Sequence, residues 1–437
     1  MPNELKDGQT RLGALIDGNE ATPENRVTLE RRENVAVLRV PWEISGELRA
    51  YAGWFAGNTH FGDDPERTRY EYEVPNELWF RDKDGLVHLI GCRFVRSTSN
   101  LHSGIGEIQA DFVVFDKNPR SESFASIKGL RSSVSGLRSW LNTTSIQKSS
   151  SQGEDGLLDG ATYELKSPKP LAVEGVAGLT LVPHWKVALE PGAVHLLDEL
   201  YVQTEFEEPR AWNDHLQIHR GIRDLLAVSQ WRSESITGLL AKQDEDRFGS
   251  NEAWRTVHTD RVDAAATEPQ NSRRDLVAFS DIGIKGISRW YEMRDELSRA
   301  IDPIVSSRYL SQAPVETLMS QAGIGLEALG FLVAKSDLGM TERQAGAQNY
   351  VERFKLIADA LGAGLVPFDI DAWPQAAADG YNAVKHANRT LPDLPELANC
   401  WRESLLIFRC WVALKLGVEK EVLADRVQSD PMAHPYA

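Results

Sequence analysis

The stretch 199–228, ELYVQTEFEEPRAWNDHLQIHRGIRDLLAV, changes its hydrophobic period halfway along. Up to Phe206, Leu200, Val202, Thr204 and Phe206 alternate with Tyr201, Gln203 and Glu205, as in a half-buried strand. Beyond Pro209, Leu216, Ile218, Ile222, Leu225, Leu226 and Val228 recur at helical spacing. The same switch divides the whole chain. From Val35 onward short apolar runs (VAVLRVPW, NELWF, LVHLIGCRFV, GEIQADFVVF, ATYEL, GLTLVPHW) are separated mostly by Gly, Asn, Asp or Pro, which predicts strands and turns. QKSSSQGEDG (147–156) reads as a flexible surface loop.

After the polar, alanine-rich segment DRVDAAATEPQNSRRD (260–275) nearly everything has helical spacing. Helices are predicted near 277–300, 314–336, 342–362, 373–389, 395–416 and 418–428, joined by short connections as in an antiparallel bundle. Pro374 suits the first turn of its helix, with Asp371 upstream as a cap. Residues 1–34 are polar and unpatterned, and read as a mobile leader. The expected fold class is α+β: leader 1–34, a β-rich, sandwich-like domain 35–260, a linker 261–275 and an all-α domain 276–430.

The chain has 437 residues, of which 42% are hydrophobic and 26% charged, enough apolar material for two or three packed domains and too much for a disordered chain. Lys plus Arg number 48 against 64 Asp plus Glu, so the net charge is −16. That balance opposes an extended nucleic-acid surface and leaves room for a small local RNA site. Three cysteines, Cys92, Cys400 and Cys410, form no CxxC pair, which argues against a disulfide scaffold and a cysteine zinc site. The opening MPNELKDGQTR has no apolar core of a signal peptide, and the most apolar stretch, Leu405 to Leu414, is broken by Arg409 and closed by Lys415. A soluble, cytoplasmic chain with no membrane span is expected.

The densest chemical cluster is YNAVKHANR (381–389). On a continuous helix Asn382, His386 and Arg389 fall at i, i+4 and i+7, and Tyr381 and Lys385 form an i, i+4 pair beside them. An imidazole that titrates near neutrality can relay protons, and the neighbouring cations can hold a phosphate. A solvated helix end, with Lys385 and Arg389 complementing the helix dipole, would carry the same residues. Other candidates are weaker. His215 and His219 are four apart but lack the Glu of HExxH. Asp369 and Asp371 read as capping residues ahead of a Mg²⁺ site, and Glu207 and Glu208 are adjacent, not facing. Gly323, Gly325 and Gly330 break the GxGxxG spacing, and no GxSxG or P-loop is present. The tryptophans of the first half read as core.

Asn382 and His386 resemble the HEPN ribonuclease signature, an Arg, an Asn or His, three variable residues and a His, within a C-terminal helical bundle. Upstream, SFASIKGLRSSVSGLRSWLN (123–142), with Leu137, Trp140 and Leu141, resembles the N-terminal domain of ApeA-like proteins, and ELYVQTEF and the GLEALGF segment around Glu327 suit the same layout. The resemblance implies a bacterial anti-phage, abortive-infection protein: a β-rich sensor joined to a HEPN domain that cleaves RNA, tRNA by analogy, without a metal or other cofactor, paired as a homodimer and set off by a phage-encoded trigger. His386 would move protons, with Asn382, Lys385, Arg389 and Tyr381 around it. The sequence departs from the signature at Tyr381, where the motif Arg stands; a phenol has neither the charge nor the bidentate fork of a guanidinium. The alternatives are a catalytically impaired HEPN module that binds RNA or protein, and a small-molecule or carbohydrate enzyme in the β-rich half.

Overall fold

The computed structural model describes residues 3–33, 35–55, 73–100, 102–116, 123–152, 157–243, 247–248, 251–252, 254–262 and 275–436. In chain order it begins with β1 (Thr10–Ile16), β2 (Asn25–Arg32), β3 (Val35–Glu43) and the short helix α1 (Arg49–Ala52). Strands β4 (Glu77–Asp82), β5 (Gly85–Ile90), β6 (Arg93–Ser99), β7 (Ser103–Ala110), β8 (Phe112–Asp116) and β9 (Ile127–Val134) follow. Next come α2 (Leu137–Leu141), β10 (Ile146–Gln152), β11 (Leu158–Leu165), β12 (Leu171–Ala172), β13 (Leu179–Glu190) and β14 (Ala193–Arg210). Helix α3 (Trp212–Gln230) leads to β15 (Ile236–Lys242), β16 (Arg247–Phe248), β17 (Asn251–Glu252) and β18 (Arg255–Thr259). The rest is helical: α4 (Phe279–Ser307), α5 (Val315–Ser336), α6 (Glu342–Ala347), α7 (Tyr350–Leu361), α8 (Trp373–Lys385), α9 (Leu394–Leu416) and α10 (Lys420–Val427). The fold class is α+β.

Two compact units emerge, Met1–Ser133 with Gln203–Gln217 and Ile236–Ala264, and Val134–Val202 with Ile218–Ser235 and Ala265–Ala437. In the first, strand order is β9-β15-β18-β8-β5-β4-β1-β2-β3-β7-β6, with the end of β14 beside β9. The sheet curls on itself: Arg31 of β2 reaches Nδ1 of His258 on β18 at 3.2 Å, and Gln109 of β7 donates to Asp260 at 2.8 Å. Burial, reinforced by the Arg31 charge, pushes the His258 pKa down to about 4, so the neutral ring accepts from Arg31. Opposed walls of one sheet therefore enclose a single core, which includes Leu15, Val27, Leu29, Leu38, Phe80 and Ile108. Strands β5 and β8 are buried on both faces, which is why LVHLI and FVVFD read as continuous apolar runs. Trp212, opening α3, covers β8 by stacking on Phe112 at 4.3 Å and donates its indole N–H to the Phe124 carbonyl at 2.8 Å.

Several expectations need correction. The expected mobile leader 1–34 is not one over its described residues, 3–33: β1 and β2 are integral strands, Leu5, Val27 and Leu29 are core, and the Arg11 guanidinium is paired with Asp82 at 2.6 Å. Much of the predicted 147–156 loop is β10, paired with β11, and residues 153–156 lie outside the described residues. The predicted linker 261–275 falls mostly on 263–274, also outside them.

In the second unit α5 is the central helix, packed by α4, α7, α8 and α9. Its glycines permit close approach: a Cβ at Gly323 would overlap the Tyr381 ring, one at Gly325 would strike the Ala300 carbonyl, and one at Gly330 would strike Arg353. That packing accounts for the glycine spacing noted in the sequence. Among the described residues α5 alone is long and apolar enough to cross a membrane, and half of that stretch is buried inside the unit, as in a core helix. The predicted 342–362 helix is two, because Asn349 caps α7 by accepting from Glu352 N at 3.0 Å.

Candidate functional site

Helix α8 begins with Pro374 in its first turn, and Asp369 (not Asp371) supplies the upstream turn, its carboxylate accepting the N–H groups of Asp371 and Ala372 at 3.0 and 3.1 Å. Trp373, Ala377, Ala378 and Tyr381 form its buried face, Trp373 stacking on Phe354 at 5.7 Å. The helix ends at Lys385. His386 is the cap residue, in extended conformation at φ −120° and ψ 112°, its N–H donating to the Asn382 carbonyl at 3.0 Å. The stripe expected through Asn382, His386 and Arg389 is therefore interrupted. A tight turn replaces it, the Arg389 N–H donating to the His386 carbonyl at 3.0 Å, and both side chains are exposed.

Tyr381 is 2% exposed and lies against Gly323. Its hydroxyl points to Glu327 Oε2 at 3.4 Å, and burial raises its pKa, so it is a neutral packing group. Glu327 also holds Arg353 at 3.0 Å. Among the described residues, Lys385 is the cation of the motif that a side-chain hydrogen bond fixes. Its ammonium donates to the Tyr350 hydroxyl at 2.8 Å and lies 5.2 Å from the centroids of both the Tyr350 and Tyr381 rings, which stand 5.2 Å apart. The Tyr350 hydrogen bond raises the lysine pKa. Tyr381 and Lys385 thus lie together, with Tyr350, Glu327 and Arg353 around them. Tyr350 and Arg353 escaped the sequence reading, although their i, i+3 spacing after the Asn349–Glu352 cap signals a shared polar face.

The remaining candidates are structural. His215 is buried, bonded to Thr204 Oγ1 at 2.7 Å and the Ile127 carbonyl at 3.0 Å, with its pKa lowered by burial; His219 is equally buried. Glu207 and Glu208 are exposed strand residues. All three cysteines are free and buried. Among the described residues no group of three His, Cys, Asp or Glu is placed to hold a metal ion.

Residues 47–290 match ApeA N-terminal domain 1, and residues 334–422 match Apea-like HEPN, so the site at the end of α8 lies within the HEPN match. No curated protein and no solved structure matches the chain. The first match alone spans more than half of the 437 residues, and with a HEPN match behind it in the helical unit the chain belongs to the ApeA-like family.

Proposed function

We propose that the helical unit is a metal-independent endoribonuclease with His386 as its proton-transfer group. The supporting observation is the ring's placement: exposed at the end of α8, next in sequence to a lysine whose ammonium is already held in position. In this reading the substrate's 2′-OH loses its proton to His386 and its oxygen bonds to the adjacent phosphorus. The P–O5′ bond then breaks, and O5′ leaves with a proton returned by imidazolium, giving a 2′,3′-cyclic phosphate and a 5′-OH end. Lys385 and Arg389 stabilise the charge that gathers on the phosphoryl oxygens, and Asn382 fixes the His386 backbone. DNA, without a 2′-OH, is not a substrate.

Family membership supports a role in anti-phage defence, and HEPN domains commonly bind RNA and dimerise. We extend that to a homodimer with paired His386 rings acting on cellular RNA, tRNA by analogy, with the β-rich unit as sensor of a phage-encoded trigger and the chain acting in the cytoplasm. Purified protein should cut RNA in EDTA, and His386→Ala should abolish the cut; identical RNA ladders from both proteins defeat the reading. The buried Tyr381, in place of the motif Arg, favours one alternative, an HEPN module that binds RNA or protein without cleaving. It predicts equal RNA retention by wild type and His386→Ala with no products from either.

A further inference from the structure

We infer that Tyr350 is a positioning residue for Lys385, making that lysine the preset phosphate-binding cation of the site. The inference rests on the ribonuclease reading for its chemistry and on separate geometry for its structure.

A lysine on a helix surface samples many rotamers, and a ligand must order it on binding. Lys385 is ordered beforehand. The Tyr350 hydroxyl accepts one ammonium N–H at 2.8 Å, and the Tyr350 and Tyr381 rings present their faces at 5.2 Å. An ammonium has three donors; Tyr350 takes one and Tyr381 also draws on the lysine, which leaves at least one for a phosphate oxygen. The groups that hold it are uncharged, so they fix its position and leave its charge unspent. The Glu327 carboxylate, which acts on the lysine only weakly through space, is engaged by Arg353 at 3.0 Å and faces the Tyr381 hydroxyl. Tyr381 is wedged on Gly323, so the cage has one rigid wall on the core and a second, Tyr350, at the start of α7. The signature arginine is missing from position 381. In its stead the fold offers a lysine held in place one turn later, next in sequence to His386.

The test uses the full-length chain with Tyr350→Phe, which keeps the ring and removes the hydroxyl, Tyr350→Ala, which removes both, and Lys385→Ala. The first readout is the lysine side-chain ¹H–¹⁵N spectrum, where a hydrogen-bonded ammonium exchanges slowly and is visible. A protected signal present in wild type, absent in Lys385→Ala and lost in Tyr350→Phe is expected; its persistence in Tyr350→Phe overturns the inference. The second is steady-state cleavage of a single-stranded RNA oligonucleotide. Tyr350→Phe should lower kcat about five-fold with KM within two-fold, Tyr350→Ala should lower it further, and neither should add to Lys385→Ala. Equal kcat for Tyr350→Phe and wild type, where Lys385→Ala is impaired, overturns it too. Should wild type leave RNA intact, the ribonuclease reading falls, and the spectrum alone decides whether Tyr350 holds Lys385.

Discussion

Helix α9 carries two cations, six residues apart, that are paired with aspartates in opposite surroundings. Lys415 meets Asp337 at 2.7 Å with both side chains about one-third exposed; Arg409 meets Asp430 at the longer distance of 2.9 Å with both fully buried. Arg409 also donates to the carbonyls of Val228 and Ser229 at 2.7 and 2.8 Å, so the guanidinium closes the final turn of α3 as well as an ion pair. Distance alone ranks these pairs the wrong way round. What decides is how many groups would be left buried and unpaired if the cation were removed. Lys385, held by a phenol and two rings, is a third case: a cation fixed in place but not neutralised.

The comparison is broken most directly at Arg409. Arg409→Met takes the counter-charge from a buried carboxylate and the guanidinium donor from the Val228 carbonyl, while the Met432 N–H still reaches Asp430 and the Leu276 N–H still reaches Ser229. The substitution should cost about 3–5 kcal/mol of stability, read as a lowered midpoint of chemical denaturation. A loss below about 1 kcal/mol would mean that burial does not separate the two pairs.

Glu107 sharpens the comparison from the side of the anion. Its carboxylate is buried in the β-rich unit and takes hydrogen bonds from Arg96 at 2.8 Å, Arg39 at 3.1 Å and Arg32 at 3.3 Å. Chiefly the Arg96 bond, and against the opposing pull of desolvation, they hold its pKa down to about 2. Unfolded, the same carboxyl titrates near roughly 4.3. Between these values the unfolded chain binds more protons, so the contribution is complete above the upper value and is lost as pH falls toward the lower one. Because the three guanidiniums remain partly exposed, Glu107→Gln should cost about 1 kcal/mol at neutral pH. The gap between wild type and variant in urea midpoint should narrow from pH 6 to pH 3. A gap that stays constant would sever the link between those arginines and the carboxylate.

Sequence and structure agree where the deciding contacts are local. β3 and β4 were legible as short apolar runs, and β5, β7 and β8 as parts of longer ones, since LVHLIGCRFV runs from β5 into the polar, exposed β6 and GEIQADFVVF joins β7 to β8; α3 was legible because its apolar positions keep a helical period. β1 and β2 were hidden by charge: Val27 and Leu29 do alternate with Thr28 and Glu30, but the pairing of Arg11 with Asp82, 71 residues away, leaves no trace in either neighbourhood. The break at Asn349 could have been read, since Asn349 and Glu352 spell a capping box. Of the site, the cluster around His386 was visible as residue types. Its geometry was not, because the burial of Tyr381 depends on Gly323 in α5 and the fixing of Lys385 on Tyr350 in α7.

The smallest expected effect belongs to Lys415. Its contact with Asp337 is the shorter of the two on α9, and Lys415 also lies 5.3 Å from the Trp411 ring, so a ranking by proximity would make it important. Both charged ends remain wet, however, and water recovers most of what the contact supplies, while holding two flexible side chains together costs rotamer freedom. Lys415→Met keeps the methylene stem packed on the helix and removes the charge alone, so the expected loss is about 0.5 kcal/mol or less. Salt discriminates further. Raising ionic strength from 0.05 to 1 M should erase the small Lys415→Met difference, because surface charges are screened over a few ångströms at that concentration, and should leave the Arg409→Met loss almost intact. A Lys415→Met loss that equals the Arg409→Met loss, or that survives high salt, would show that contact distance rather than exposure sets the strength of an ion pair in this bundle.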